Sequence, residues 1–229
     1  VVAGCYYSGT TKRGPFTLWD NASGVAGSNT VIANVVASLA ALDPGFSYTR
    51  TSGALELLTQ DTGHLIQAAV RTSNTGYNGL NSRTFPALAF DATNTAVSGG
   101  RRLLIPNLSN DGGYRPSVVL FNTVEFGAEV QVRVYDASGS LVWVVTRLLA
   151  PLEMSVIADD LRPPTAPLYR NATVLVEVTS GQGVVMASGQ TAHRLLEMAV
   201  IYFLAAENHG AVFRHSICNF LEMGDEGWQ

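Results

Sequence analysis

EVQVRVYDASGSLVWVVTR, residues 129–147, decides the fold. Val130, Val132 and Val134 alternate with Glu129, Gln131 and Arg133. An extended chain points successive side chains to opposite faces, so this period of two marks a strand with one buried face. DASG at 136–139 then turns the chain into a second apolar run, SLVWVVTR. Asp and Gly supply the local hydrogen bond and the conformational freedom a tight turn needs, so the stretch reads as an antiparallel hairpin.

Further strands follow on either side. RLLIPNL at 102–108, SVVLFN at 117–122, LEMSVIA at 152–158, TVLVEVT at 173–179 and 184–191 are apolar or alternating. SNDGG at 109–113 and SGQG at 180–183 read as hairpin turns between them. About seven short strands without a helical period predict an immunoglobulin-like two-sheet sandwich over 99–195.

The corner occurs twice. LWDNASG at 18–24 repeats VYDASG at 134–139, and the order is kept beyond it. TVIAN at 30–34 falls on SVIAD at 155–159, and HLIQAAVRT at 64–72 on VVMASGQT at 184–191. Residues 1–98 therefore read as a second module lacking its first two strands. Each corner Asp is expected to cap its own turn. Superposing Thr59 and Gly63 on Thr179 and Gly183 sets Glu56 on Val176, a core place, which predicts a one-residue bulge. VVASLAALDPG at 35–45 has no counterpart and predicts a short helix ended by Asp-Pro-Gly.

The tail, 196–229, resembles the two missing strands. It is apolar at Val200, Ile201, Tyr202 and Phe203, turns at Asn208-His209-Gly210, and is apolar again around Ile217 and Phe220. The expected fold class is all-β: two tandem immunoglobulin-like sandwiches, the first completed by these carboxy-terminal strands in cis or in trans. Cys5 and Cys218 lie near opposite ends, and a disulfide between them would lock the inserted strand. VAGC at 2–5 gives Cys5 a competing reading as a lipidation site.

A strand ending in Ile105-Pro106, a glycine turn with Tyr114, a strand ending in Asn122 and the Tyr135-Asp136-x-x-Gly139 hairpin form one pattern. It resembles immunoglobulin-like β-sandwich repeats of secreted and surface proteins of bacteria. The resemblance implies a spacer or binding module, and its shared motif carries no catalytic residue.

Composition narrows the function. Hydrophobic residues make up 47% of the chain and charged residues only 14%, against about 25% in ordinary globular proteins. A net charge of −4 leaves no basic footprint for nucleic acid. Lys12 is the only lysine, which points to a GC-rich, bacterial source. No apolar run reaches the ~18 residues of a membrane span. His209, His215 and Cys218 fit no zinc spacing, and SNDGG holds one Asp, too few for calcium. GxSxG, P-loop and GxGxxG motifs are missing, so neither an enzyme nor a cofactor is expected. Asn21, Asn107 and Asn171 match the N-glycosylation pattern.

The expected function is an extracellular structural or assembly protein. It would be a subunit of a bacterial surface filament or surface complex, joined head-to-tail to other copies or to surface proteins by β-strand complementation. The alternative is a secreted, adhesin-like binding module for glycan or protein, using the loop aromatics Tyr77 and Tyr114.

Overall fold

All the strand pairs among the described residues are antiparallel. The computed structural model describes residues 2–20, 30–46, 52–59, 68–76, 79–86, 88–89, 96–111, 113–157, 161, 167–193, 207–209, 212–214 and 216–221. The chain opens with β1 (Val2–Ser8) and β2 (Thr11–Trp19), then α1 (Val35–Leu42) and β3 (Ser52–Thr59). A ribbon of β4 (Ala69–Gly76) and β5 (Gly79–Pro86) precedes the short β6 (Leu88–Ala89) and β7 (Ala96–Val97). β8 (Arg102–Asn110), β9 (Tyr114–Asn122), β10 (Ala128–Tyr135), β11 (Leu141–Leu149) and β12 (Met154–Ile157) follow. Then come β13 (Tyr169–Gly181), β14 (Val185–His193), β15 (Glu207–His209), β16 (Val212–Arg214) and β17 (Ser216–Leu221).

Two four-stranded sheets, β11-β10-β13-β8 and β12-β9-β14-β7, share one core. The alternation in β10 and β13 sends Val130, Val132, Val134, Val174, Val176 and Val178 inward, all buried, to meet Val118, Leu120, Val185 and Ala187 of the other sheet. This is the β-sandwich expected from strand periodicity. The Asp136 corner also forms as expected. Its carboxylate accepts from the Ser138 hydroxyl at 2.6 Å and from the Ser138 and Ser140 backbone N–H groups at 2.9 Å. Gly139 takes the left-handed conformation that closes the turn, at φ 84°. The matching corner after Asp20 lies outside the described residues.

Two turns differ from expectation. β8 and β9 belong to different sheets, as do β13 and β14, so SNDGG and SGQG carry the chain across the sandwich instead of closing hairpins. At the second crossing Gly181 (φ 89°) lies against the Gly127 backbone, where an added Cβ would come within 2.4 Å of the Gly127 oxygen.

A five-stranded sheet, β2-β1-β3-β17-β6, is built from both ends of the chain. β1 is the first strand of the amino-terminal half and carries Cys5. Residues 30–34 are not a strand as their counterparts at 155–157 are; instead the Asn34 side chain accepts from the Ala37 N–H at 2.9 Å and caps α1. That helix covers the stretch read as an insertion and stops at Asp43. β4 pairs with β5, not with a sandwich partner like that of β14, so the two halves diverge here.

The two sheet systems meet. β9 is buried at five consecutive residues, 118 to 122. Val118 and Leu120 face the sandwich core, while Val119 and Phe121 are covered from the other side. There the Tyr7 ring packs edge-on against Phe121 with centroids 5.1 Å apart, and the Met154 N–H donates to the Gly9 oxygen at 3.0 Å. Among the described residues no helix is long and apolar enough to cross a membrane.

Candidate functional site

β3 holds the centre of the five-stranded sheet, between β1 and β17. Its register runs without a break, Cys5 opposite Glu56 and Tyr6 opposite Leu55. The bulge predicted at Glu56 is therefore absent: the side chain is buried because its face of the sheet supplies a polar partner. The Tyr7 hydroxyl donates to Glu56 Oε2 at 2.6 Å. Cys5 and Tyr7 are two residues apart on β1, so both lie on the Glu56 face. Lys12, opposite Tyr7 on β2, places its ammonium 5.4 Å from the Tyr7 ring centroid.

The other face of β3 is apolar. Tyr6 and Leu55 pack with Leu39 of α1 and with Phe46, whose ring meets Tyr6 edge-on at 4.9 Å. Gly53 lies beneath Tyr6, and an added Cβ would come within 2.3 Å of the Tyr6 ring and 2.4 Å of the Tyr7 carbonyl oxygen. Only glycine fits that point of the strand.

These surroundings set the chemistry. Burial first, then the Glu56 carboxylate, pushes the Tyr7 hydroxyl far above its ordinary range. Burial and Glu56 likewise raise the Cys5 thiol, and Lys12 opposes them only in part. The thiolate is the reactive form, so Cys5 is held in its poorly nucleophilic state. The Tyr7–Glu56 hydrogen bond ties β1 to β3.

Cys5 is a free thiol, which corrects the expected disulfide with Cys218. The reason is topological. Cys5 stands opposite Glu56 on one side of β3, and Cys218 opposite Leu55 on the other. Two strands separated by a third are about 9–10 Å apart, beyond the ~7 Å that a disulfide spans.

β17 occupies the second edge of β3. Ser216 to Leu221 pair with Leu57 to Ser52, Ile217 opposite Glu56 and Phe220 opposite Gly53. On its far side β17 meets β6 only at Ser216 and Ile217. β15 and β16 pair with His209 opposite Val212, so Asn208 and His209, expected in a turn, lie in a strand. Val200, Ile201, Tyr202, Phe203 and Tyr77 lie outside the described residues. Tyr114 opens β9 and is exposed. Asn107 and Asn171 are exposed, and Asn21 is outside the described residues. Sequence reasoning missed Tyr7 as the partner of Glu56, and Lys12 and Phe121 as neighbours of the Tyr7 ring. The available signal was Glu56 itself, a charge where the repeat demanded a core residue.

No family model matches the sequence, and no curated protein matches it. Among solved structures, the chain is similar to the Anabaena sensory rhodopsin transducer at 17% identity and a TM-score of 0.29, over 44% of this chain and 93% of that one. It is also similar to a structure of infectious bursal disease virus, Gx strain, at 11% identity and a TM-score of 0.27, over 97% of this chain and 58% of that one. Neither likeness bears on what this chain does.

Proposed function

We propose that this chain is a non-catalytic extracellular assembly protein, a subunit of a bacterial surface filament or complex, whose carboxy-terminal strand adds to β3 of a neighbouring copy. In this reading the two halves are immunoglobulin-like modules, one whole and one divided between the termini. The observation that supports it is the place of β17, a strand from the far end of the chain that pairs along β3. Without it, the edge of β3 presents unpaired backbone groups beside a buried face, a costly state that any suitable strand relieves. A strand of the same sequence from a second copy makes the same hydrogen bonds, so exchange between copies costs little. Head-to-tail exchange does not close on itself and propagates a filament. The low charge, 14% of residues, suits a surface subunit.

Sedimentation velocity on the full chain, with electron microscopy, tests this. The wild type is expected to grow with concentration into an open series of multimers. Ile217→Pro removes a ladder donor from β17 and should abolish the series. A wild type that never grows beyond a dimer would overturn the reading.

A further inference from the structure

The sandwich has two outer faces, and among the described residues only one is covered. The β9 sheet buries Val119 and Phe121 on the side where Tyr7 packs. Among the described residues nothing gives the outward face of the β11-β10-β13-β8 sheet such a cover. One row across it runs Val144, Arg133, Leu175 and Leu104, each paired in register with the next. Leu104 is 63% exposed, and Leu148, farther along the same face of β11, is 76% exposed. A solvated face of an antiparallel sheet is ordinarily polar. Large apolar side chains gathered on one mark an interaction surface.

We propose that this face packs against the same face of a second copy, as a two-fold, sheet-on-sheet dimer. Three features point to a copy of this chain as the occupant. First, the charges are already satisfied within the face: Glu177 accepts from Arg133 Nη1 at 2.8 Å and from Arg102 Nε at 3.2 Å. Glu129 takes a 2.6 Å hydrogen bond from Thr179. Second, two arginines stand against two glutamates, so the face opposes its own image without net charge. Third, the size suits: four strands about 4.8 Å apart and about eight residues long span roughly 19 Å by 26 Å. That footprint, about 500 Å² per partner, lies near the ~1,000 Å² in total that a specific interface needs. The two sheets would cross at about −30°, the angle that sheet twist imposes on aligned packing.

This contact is closed and does not involve β17, so it is separable from strand exchange. Sedimentation of the full chain, extrapolated to its smallest species, reads it out. The wild type should have twice the chain mass, and Val144→Lys should halve that mass while keeping the wild-type far-UV circular dichroism spectrum. Leu148→Lys, at the most exposed of these positions, makes the same test should Val144→Lys fail to fold. A monomeric wild type, or a dimer that survives the lysine substitution, would overturn the proposal. Growth by strand exchange would persist in Leu148→Lys, from monomers instead of dimers, so failure of one contact is distinct from failure of the other.

Discussion

Val176 on β13 and Glu56 on β3, which the sequence comparison sets on one another, are both buried. Val176 is one of three alternating valines facing a core shared by two sheets. Glu56 faces the Tyr7 hydroxyl, between Cys5 on β1 and the backbone of Ile217 on β17. Burial is therefore met in two ways: by apolar packing where a strand faces its own sandwich, and by a hydrogen-bonded pair at the sheet assembled from both chain ends. The difference teaches that the neighbours of a strand decide what it buries.

Reciprocal substitutions break this comparison most sharply. Val176→Glu sets a carboxylate in an apolar core without a partner, and the loss should exceed about 4 kcal/mol, enough to abolish folding. Circular dichroism of the purified chain checks it. Leu55→Ala, on the apolar face of β3, should cost ~2–5 kcal/mol by denaturant unfolding, because the cavity beside Leu39 and Tyr6 cannot close. Glu56→Val should cost less, ~1–3 kcal/mol, as the Tyr7 hydroxyl loses its acceptor. Tyr7→Phe added to Glu56→Val removes both partners and should recover much of that loss. A double mutant no better than Glu56→Val alone would show that the pair is not coupled.

The sandwich was legible because its strands face unlike surroundings. Val130, Val132 and Val134 alternate since one side of β10 meets a core and the other meets solvent. The Asp136 corner was legible because its hydrogen bonds are made within a few residues. So was the helix over 35–42, between Asn34 and Asp43. What lay beyond local chemistry was not legible. SNDGG and SGQG have the composition of hairpin turns, yet composition does not say which sheet the next strand joins. The disulfide expected between Cys5 and Cys218 fails for a similar reason, since chain ends in one sheet need not be adjacent strands. Glu56 was visible as a misfit, but its partner Tyr7 is brought to it only by strand pairing.

A smaller effect sharpens the same contrast by pH. The Tyr7 hydroxyl is held above its ordinary value of about 10, first by burial and then by Glu56. Below about pH 10 both states keep the proton and stability is unaffected by this group. Above it the unfolded chain ionises while the native one resists, so stability falls as pH rises. The unfolding midpoint should decline above about pH 10 in the wild type and less steeply in Tyr7→Phe. Equal slopes would mean that Tyr7 is not shielded as described.

The proposed assembly rests on β17 adding to β3 of another copy, and paired cysteines test it directly. Ala54 and Asn219 are partners in the ladder. Opposed residues of antiparallel strands lie about 4.5–5.5 Å apart at Cα, within disulfide range. The full chain carrying Ala54→Cys and Asn219→Cys, with Cys218→Ser to remove the neighbouring thiol, would be oxidised at high concentration and run without reductant. The account predicts a ladder of covalent multimers that collapses to one band on reduction. A cross-linked monomer alone, or unreacted thiols, would contradict it.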